Sequence, residues 1–280
     1  MDTLFSKRRD YVGMVSELVF IAVALLFLFP ILYLVMASFK EPGQFYDPLA
    51  LPDSLYLGHY VKAFDKVNVM SGFMNTFAIS AGSIGLIIIV SSMAGYIIAR
   101  MPHKFFQFLF YFFISGMVIP LQTGMIPIFK MGVSLHLIDT RTFMILLYTA
   151  GAIPMATFMY AGFTKSVPRE IEESAAMDGY NRFRTFWFII FPLLLPATGT
   201  LIMLNIYGIW NDLFGPLLYL KNPAKMTLMA QVVQFKANNQ SIDYGPIFAL
   251  CVMATLPLII LFLFTQKYMM KGLIIGSVKG

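Results

Sequence analysis

Residues 170–196 read EIEESAAMDGYNRFRTFWFIIFPLLLP. An acidic, alanine-bearing segment closed by glycine leads into a run that carries no charge from Thr185 to Asn211. The chain around it is 59% hydrophobic and 12% charged, against roughly a quarter charged in an ordinary soluble domain. It lacks the polar surface to fold in water and belongs in a membrane.

Working outward, the charges cluster and leave six long charge-free runs: Leu18 to Phe39, Val67 to Ala99, Phe105 to Phe129, Thr142 to Thr164, Thr185 to Asn211 and Tyr244 to Gln266. Each exceeds the roughly 20 residues with which a helix crosses the hydrocarbon. Apolar residues run on without alternating with polar ones, which predicts helices and not barrel strands. The first run is too long for the apolar part of a cleaved leader, although Lys7, Arg8 and Arg9 before it would suit one. The expected fold is an all-α membrane protein, a bundle of six transmembrane helices spanning residues 18–266, between an N-terminal segment 1–17 and a tail 267–280.

Six spans put both termini on one side. If segments 1–17, 100–104, 165–184 and 267–280 are cytoplasmic, that side holds twelve of the twenty basic residues: Lys7, Arg8, Arg9, Arg100, Lys104, Lys165, Arg169, Arg182, Arg184, Lys267, Lys271 and Lys279. This is the positive-inside pattern, and it predicts a multi-pass membrane protein with cytoplasmic termini. The formal net charge of +6 then suits anionic lipid headgroups and does not require nucleic acid. Cys251 is alone, so neither a disulfide framework nor a cysteine metal site is expected.

The opening segment falls in the cytoplasmic loop 165–184, between the fourth and fifth spans. Pro168 suits a helix start, Glu170, Glu172 and Glu173 suit an N-terminal turn, and Gly179 suits a C-terminal cap. At helical spacing Ile171, Ser174, Ala175 and Asp178 share one small-sided face that admits another surface closely. An ordinary solvated loop helix would read the same way, since acidic first turns are common.

The stretch from Glu170 to Pro196 resembles the EAA loop of ABC importer permeases. Glu173, Ser174 and Ala175 occupy its triplet, Gly179 its glycine, and Ile189, Phe191 and Pro192 its Ile-x-Leu-Pro ending, with Ser174 in place of an alanine and Phe191 in place of the leucine. The ending QKYMMKGLIIGSVKG (266–280) is similar to the tail of maltose-type carbohydrate permeases, with Ser277 in place of an alanine. YGIWNDLFGPLLYL (207–220) and IPLQTGMIPIF (119–129) also resemble that group.

The resemblance implies a transport subunit for a sugar or oligosaccharide, with a polyol or glycerol phosphate as the alternative solute. The chain has no phosphate-binding loop of its own. ATP and Mg are expected on two cytoplasmic ATPase subunits, with a homologous second permease and an extracytoplasmic sugar-binding protein as further partners. The loop helix becomes a coupling helix that docks in an ATPase cleft through Glu172, Glu173, Ser174, Ala175, Asp178 and Gly179. Glu173 would pair with a basic cleft residue and Ala175 would abut the cleft wall. Gly276, Val278, Lys279 and Gly280 become tail contacts.

Within the spans, Ala81, Gly85, Ser92, Gly95 and Ala99 fall within about 40° of one direction at 3.6 residues per turn, a stripe of the kind that packs helices in lipid. Pro120, Pro127, Pro154, Pro192, Pro196 and Pro257 are expected to kink or break helices. Asn75, Gln122, Thr123, Asn205, Tyr207, Trp210 and Asn211 are the polar or amphipathic residues in or beside the spans, candidates for a sugar pathway or for helix-to-helix hydrogen bonds. No charge lies inside a run, which argues against an ion-coupled secondary transporter. His59, His103 and His136 all lie in loops without a His-Glu-x-x-His pattern, which argues against a membrane enzyme and a metal.

Overall fold

The structure is a computed structural model that describes residues 2–101, 103–238 and 243–277. Among them there are helices and turns and no strand. In chain order the helices are α1 Asp2–Ser38, α2 Gly58–Lys66, α3 Val69–Arg100, α4 Lys104–Met117, α5 Met125–Ser134, α6 Arg141–Ser166 and α7 Glu170–Met177. There follow α8 Arg182–Thr185, a π-helical turn Phe186–Ile190, α9 Phe191–Leu193, α10 Leu195–Asn211, α11 Phe214–Tyr219, α12 Leu228–Asn238 and α13 Tyr244–Ser277.

Among the described residues four stretches are long and apolar enough to cross a membrane: Gly13–Ser38, Val69–Arg100, Arg141–Ser166 and Tyr244–Phe264. The third and fifth charge-free runs are instead bent pairs, Lys104–Met117 with Gln122–Ser134 at 87° and Arg182–Leu193 with Leu195–Asn211 at 72°. Counting each pair as one span gives six. Proline accounts for both breaks: Pro120 precedes the 3₁₀ turn Leu121–Gly124, and Pro192 and Pro196 flank the break at Leu194. Each withholds a backbone N–H and crowds the preceding turn. Pro154 and Pro257, by contrast, sit inside uninterrupted helices.

The chain divides into two compact units, Met1–Val67 with Gln234–Thr255 and Asn68–Val233 with Leu256–Gly280. In the first, α1 presents Phe20, Leu26 and Phe27 outward, each at least 70% exposed, as a lipid-facing helix does. Beyond it the chain is tied by a buried knot. Lys40 is 1% exposed and donates to the carbonyls of Asp47 (2.9 Å) and Pro48 (2.8 Å). His59, fully buried, bonds through Nε2 to the Lys40 carbonyl at 2.7 Å.

In the second unit α3 and α6 pack along their length. Gly82 lies against Ile145 and Gly95 against Tyr160, so the two helices run parallel. The expected small-residue stripe is met in part. Ser92 and Gly95 are buried, whereas Gly85 faces open space and Ala81 is exposed, and Gly72, Thr76, Ser83 and Ser91 join the buried side. The buried side of α3 recurs at steps of three and four residues, the spacing of one helix face. Hydroxyls of both helices bond back to their own helix: Thr76 to the Gly72 carbonyl (2.8 Å), Ser83 to Ile79 (2.7 Å) and Thr149 to Ile145 (2.7 Å).

Candidate functional site

The loop helix is present as α7, and each end of it has a local cause. Arg169 is its N-cap and Pro168 stands just before that, outside the first turn. Glu170, Glu172 and Glu173 occupy the first turn, where carboxylates favour the positive end of the helix dipole. Gly179 closes the helix at φ 83, its N–H donating to the Ala176 carbonyl (3.1 Å), and Tyr180 N–H donates to Ala175 (3.0 Å). The two bonds form a Schellman cap, which requires the left-handed backbone that glycine adopts freely.

The faces of α7 differ from the sequence expectation. Ala175 is 3% exposed, packed within its own chain, and does not present a wall to a partner. Ser174 and Asp178, expected on the same face, are exposed, and Ser174 bonds its own Glu170 carbonyl at 2.8 Å. The outward face consists of Glu173, Ser174, Met177 and Asp178, with Met177 89% exposed. Helical spacing alone points to the face of Ile171, Ser174, Ala175 and Asp178 and passes over the methionine.

Glu172 turns inward. One carboxylate oxygen accepts from Arg100 Nε at 2.5 Å and the other from the Tyr96 hydroxyl at 2.8 Å. Arg100 also donates through Nη2 to the Val167 carbonyl at 2.8 Å. The Arg100 and Glu172 side chains are 11% and 18% exposed, so removing either partner leaves a poorly hydrated charge. Beside this cluster lies a cavity of about 810 Å³ whose charged lining is Arg100, Arg169, Arg182, Glu172 and Glu173. Sequence reasoning missed Tyr96, and counted Arg100 only as one more positive charge at the end of a span.

At the other end of the same unit a second cavity of about 300 Å³ gathers Gln122, Asn205, Tyr148, Asp212 and Tyr219. Two pathway candidates line it. Asp212, passed over because it ends a charge-free run, accepts from the Tyr148 hydroxyl (2.7 Å), Phe214 N–H (3.1 Å) and Gly215 N–H (3.2 Å). Of the other candidates, Asn75 is fully buried and donates to the Ala224 and Met226 carbonyls, both at 2.9 Å. It clamps the segment before α12. Trp210 is 4% exposed, edge-on to Phe73. Thr123 bonds Pro120 (2.7 Å), Asn211 bonds Tyr207 (3.0 Å), and Tyr207 is 69% exposed. None of these four or Asn75 lines the cavity.

Nearby, Asp139 adopts φ 61 and accepts from Lys221 N–H and Asn222 N–H, each at 2.9 Å, and from Lys225 Nζ at 3.0 Å. The Asn222 N–H foremost, with Lys225, holds its carboxyl below the usual range. Of the tail, Gly276 lies in α13, while Val278, Lys279 and Gly280 lie outside the described residues.

Residues 91–274 match the family described as binding-protein-dependent transport system inner membrane component, and the chain belongs to it. It is 33% identical over 252 residues to the melibiose/raffinose/stachyose import permease protein MelC of Bacillus subtilis (strain 168), covering 90% of this chain and 91% of that protein. It is also 33% identical to the arabinooligosaccharides transport system permease protein AraQ of the same organism, over 94% of each. Among solved structures, a bacterial ABC transporter involved in the import of the acidic polysaccharide alginate shares the fold, with a TM-score of 0.82 at 21% identity over 93% of this chain and 97% of that one. Another, an alginate ABC transporter in complex with alginate pentasaccharide-bound periplasmic protein, gives a TM-score of 0.67 at 17% identity over 92% and 93%. The chain is thus a multi-pass membrane permease, a transport component and not an enzyme.

Proposed function

We propose that the chain is one of two permease subunits of an ATP-driven importer for a neutral sugar or oligosaccharide. The observation that carries this reading is α7, a capped helix with its inner face pinned to its own chain and Glu173, Ser174, Met177 and Asp178 exposed. Such a helix suits docking in a cleft of an ATPase subunit, with Glu173 pairing a basic residue and Met177 filling an apolar recess. ATP and Mg are bound by two such ATPase subunits, and their closure moves the docked helices as rigid bodies. Sugar names among the relatives favour a sugar over a polyol or glycerol phosphate. An extracytoplasmic binding protein delivers the sugar to the second permease and this one, and the Asp212 cavity, with Gln122 and Asn205 in its wall, is the candidate surface on the route.

In this reading loop 165–184 and both termini are cytoplasmic, as the basic residues favour, and Gly276 to Gly280 contact the ATPase pair. Reconstituted with its partners in proteoliposomes, the chain supports ATP-dependent uptake of raffinose or an arabino-oligosaccharide, and alone it moves neither and hydrolyses no ATP. Uptake by the isolated chain, or external labelling of Ser174→Cys in intact cells on a Cys251→Ser background, refutes the reading or its orientation respectively.

A further inference from the structure

Building on the importer reading, we infer that Glu172 is a positioning residue that couples the loop helix to the spans, and not a contact for the ATPase. Glu172 and Glu173 are neighbours in sequence but stand about 100° apart on the helix. Glu173 is exposed, whereas both oxygens of Glu172 are committed within the chain, to Arg100 and to Tyr96.

The arrangement joins three elements through one ion pair. Arg100 is the last residue of α3 and Tyr96 stands one turn before it on the same side. The same guanidinium that holds Glu172 also holds the carbonyl of Val167, the residue that caps α6. Carboxylate and guanidinium each occupy the helix end that favours their charge, the first turn of α7 and the last of α3.

Covalently, α7 hangs from α6 by Val167, Pro168 and Arg169 alone, and Val167 has already left helical geometry at ψ 125. The buried Ala175 and the turn into α8 hold the C-terminal half of α7. At its N-terminal end the ion pair adds a tie to α3, so that a load on α7 passes to α3 as well as to α6. Those helices are interlocked at Gly95, which brings no side chain of its own against Tyr160 and the Ala161 backbone. A push on the outward face of α7 thereby reaches both parallel spans together.

The test uses the complete complex of both permeases, ATPase subunits and binding protein in proteoliposomes. Glu172→Gln and Arg100→Gln should keep the ATPase subunits bound and hydrolysing, while sugar moved per ATP falls roughly tenfold, the scale of one lost charge-assisted bond. The reversed pair Glu172→Arg with Arg100→Glu should raise that ratio above either single variant but not to wild type, since it reverses both charges against the helix ends and gives up the Val167 bond. A variant that compares each molecule with itself guards against misfolding: on a Cys251→Ser background, Arg100→Cys with Glu172→Cys should couple poorly until joined by a short bis-maleimide. An unchanged ratio in the single variants, no gain on cross-linking, or loss of bound ATPase in Glu172→Gln overturns the inference. A wild-type complex that binds no ATPase and takes up no sugar overturns the importer reading itself.

Discussion

A Cβ placed on Gly95 of α3 would stand 2.6 Å from the Cβ of Tyr160 and 2.8 Å from the backbone nitrogen of Ala161 on α6. Backbone cannot step aside as a flexible side chain does, so the two spans would have to separate. Gly95→Ala should therefore cost roughly 1 to 3 kcal/mol. Gly85→Ala, ten residues earlier with nothing within 4 Å, should cost nothing and gain some helix propensity. Thermal unfolding of the two variants in detergent checks the contrast, and equal midpoints would deny the close packing.

The loop helix separates stability from docking. Ala175→Leu, at a position 3% exposed, should lower stability by about 1 to 3 kcal/mol through overpacking. Gly179→Val should cost about 1 to 2 kcal/mol, because a branched side chain resists φ 83. Glu173→Ala is exposed and should leave the melting curve within about 0.5 kcal/mol of wild type while loosening ATPase association. Co-purification measured beside unfolding resolves these effects; wild-type ATPase binding by Glu173→Ala would remove that residue from the interface.

Asp212 holds the start of α11 and the Tyr148 hydroxyl together. Asp212→Ala removes all three bonds and should cost about 0.5 to 2 kcal/mol, as helix caps do. Asp212→Asn keeps an acceptor oxygen and should recover most of the stability, so any loss of uptake that persists in it reports on the charge at the cavity wall. Uptake by Asp212→Asn equal to wild type for every sugar offered would make the residue purely a cap.

Burial, first among the causes, lowers the pKa of His59, which the Lys40 carbonyl and Asp243 partly offset and Lys62 reinforces. The unfolded chain accepts a proton near the ordinary value of about 6.5 that the folded chain resists. Stability is thus fully present above that pH and falls as the pH drops below it. The wild-type melting temperature should fall more than that of His59→Gln between about pH 7.5 and about pH 5.5, a window set by the ordinary histidine pKa. Parallel curves for the two proteins would show that His59 carries no part of the acid sensitivity.

The legibility of this protein in its sequence follows the range of the forces involved. Lipid demands long uninterrupted apolar runs, so the membrane class and the four unbroken spans could be read from charge spacing alone. Local chemistry was equally readable in α7: carboxylates gathered at its start and Gly179 at its end obey rules that act within one turn. The bends at Pro120 and Leu194 were legible as prolines, yet the unbroken helix through Pro154 was not, because a proline's local chemistry is the same whether the helix breaks or continues.

What tertiary structure alone decided is the direction in which side chains on one short helix point. Glu172 and Glu173 are chemically identical in the sequence, and each suits a first turn. Arg100 lies 72 residues away from Glu172, and no periodicity carries across that distance, so the choice of which carboxylate turns inward waited for α3 and α6 to pack in parallel. The same holds for Asp212, a boundary charge until Tyr148 met it, and for the buried side of α3, whose phase depends on the helix that it faces. Hydrophobic transfer and backbone geometry are properties of a segment; an ion pair or a close contact is a property of two segments brought together.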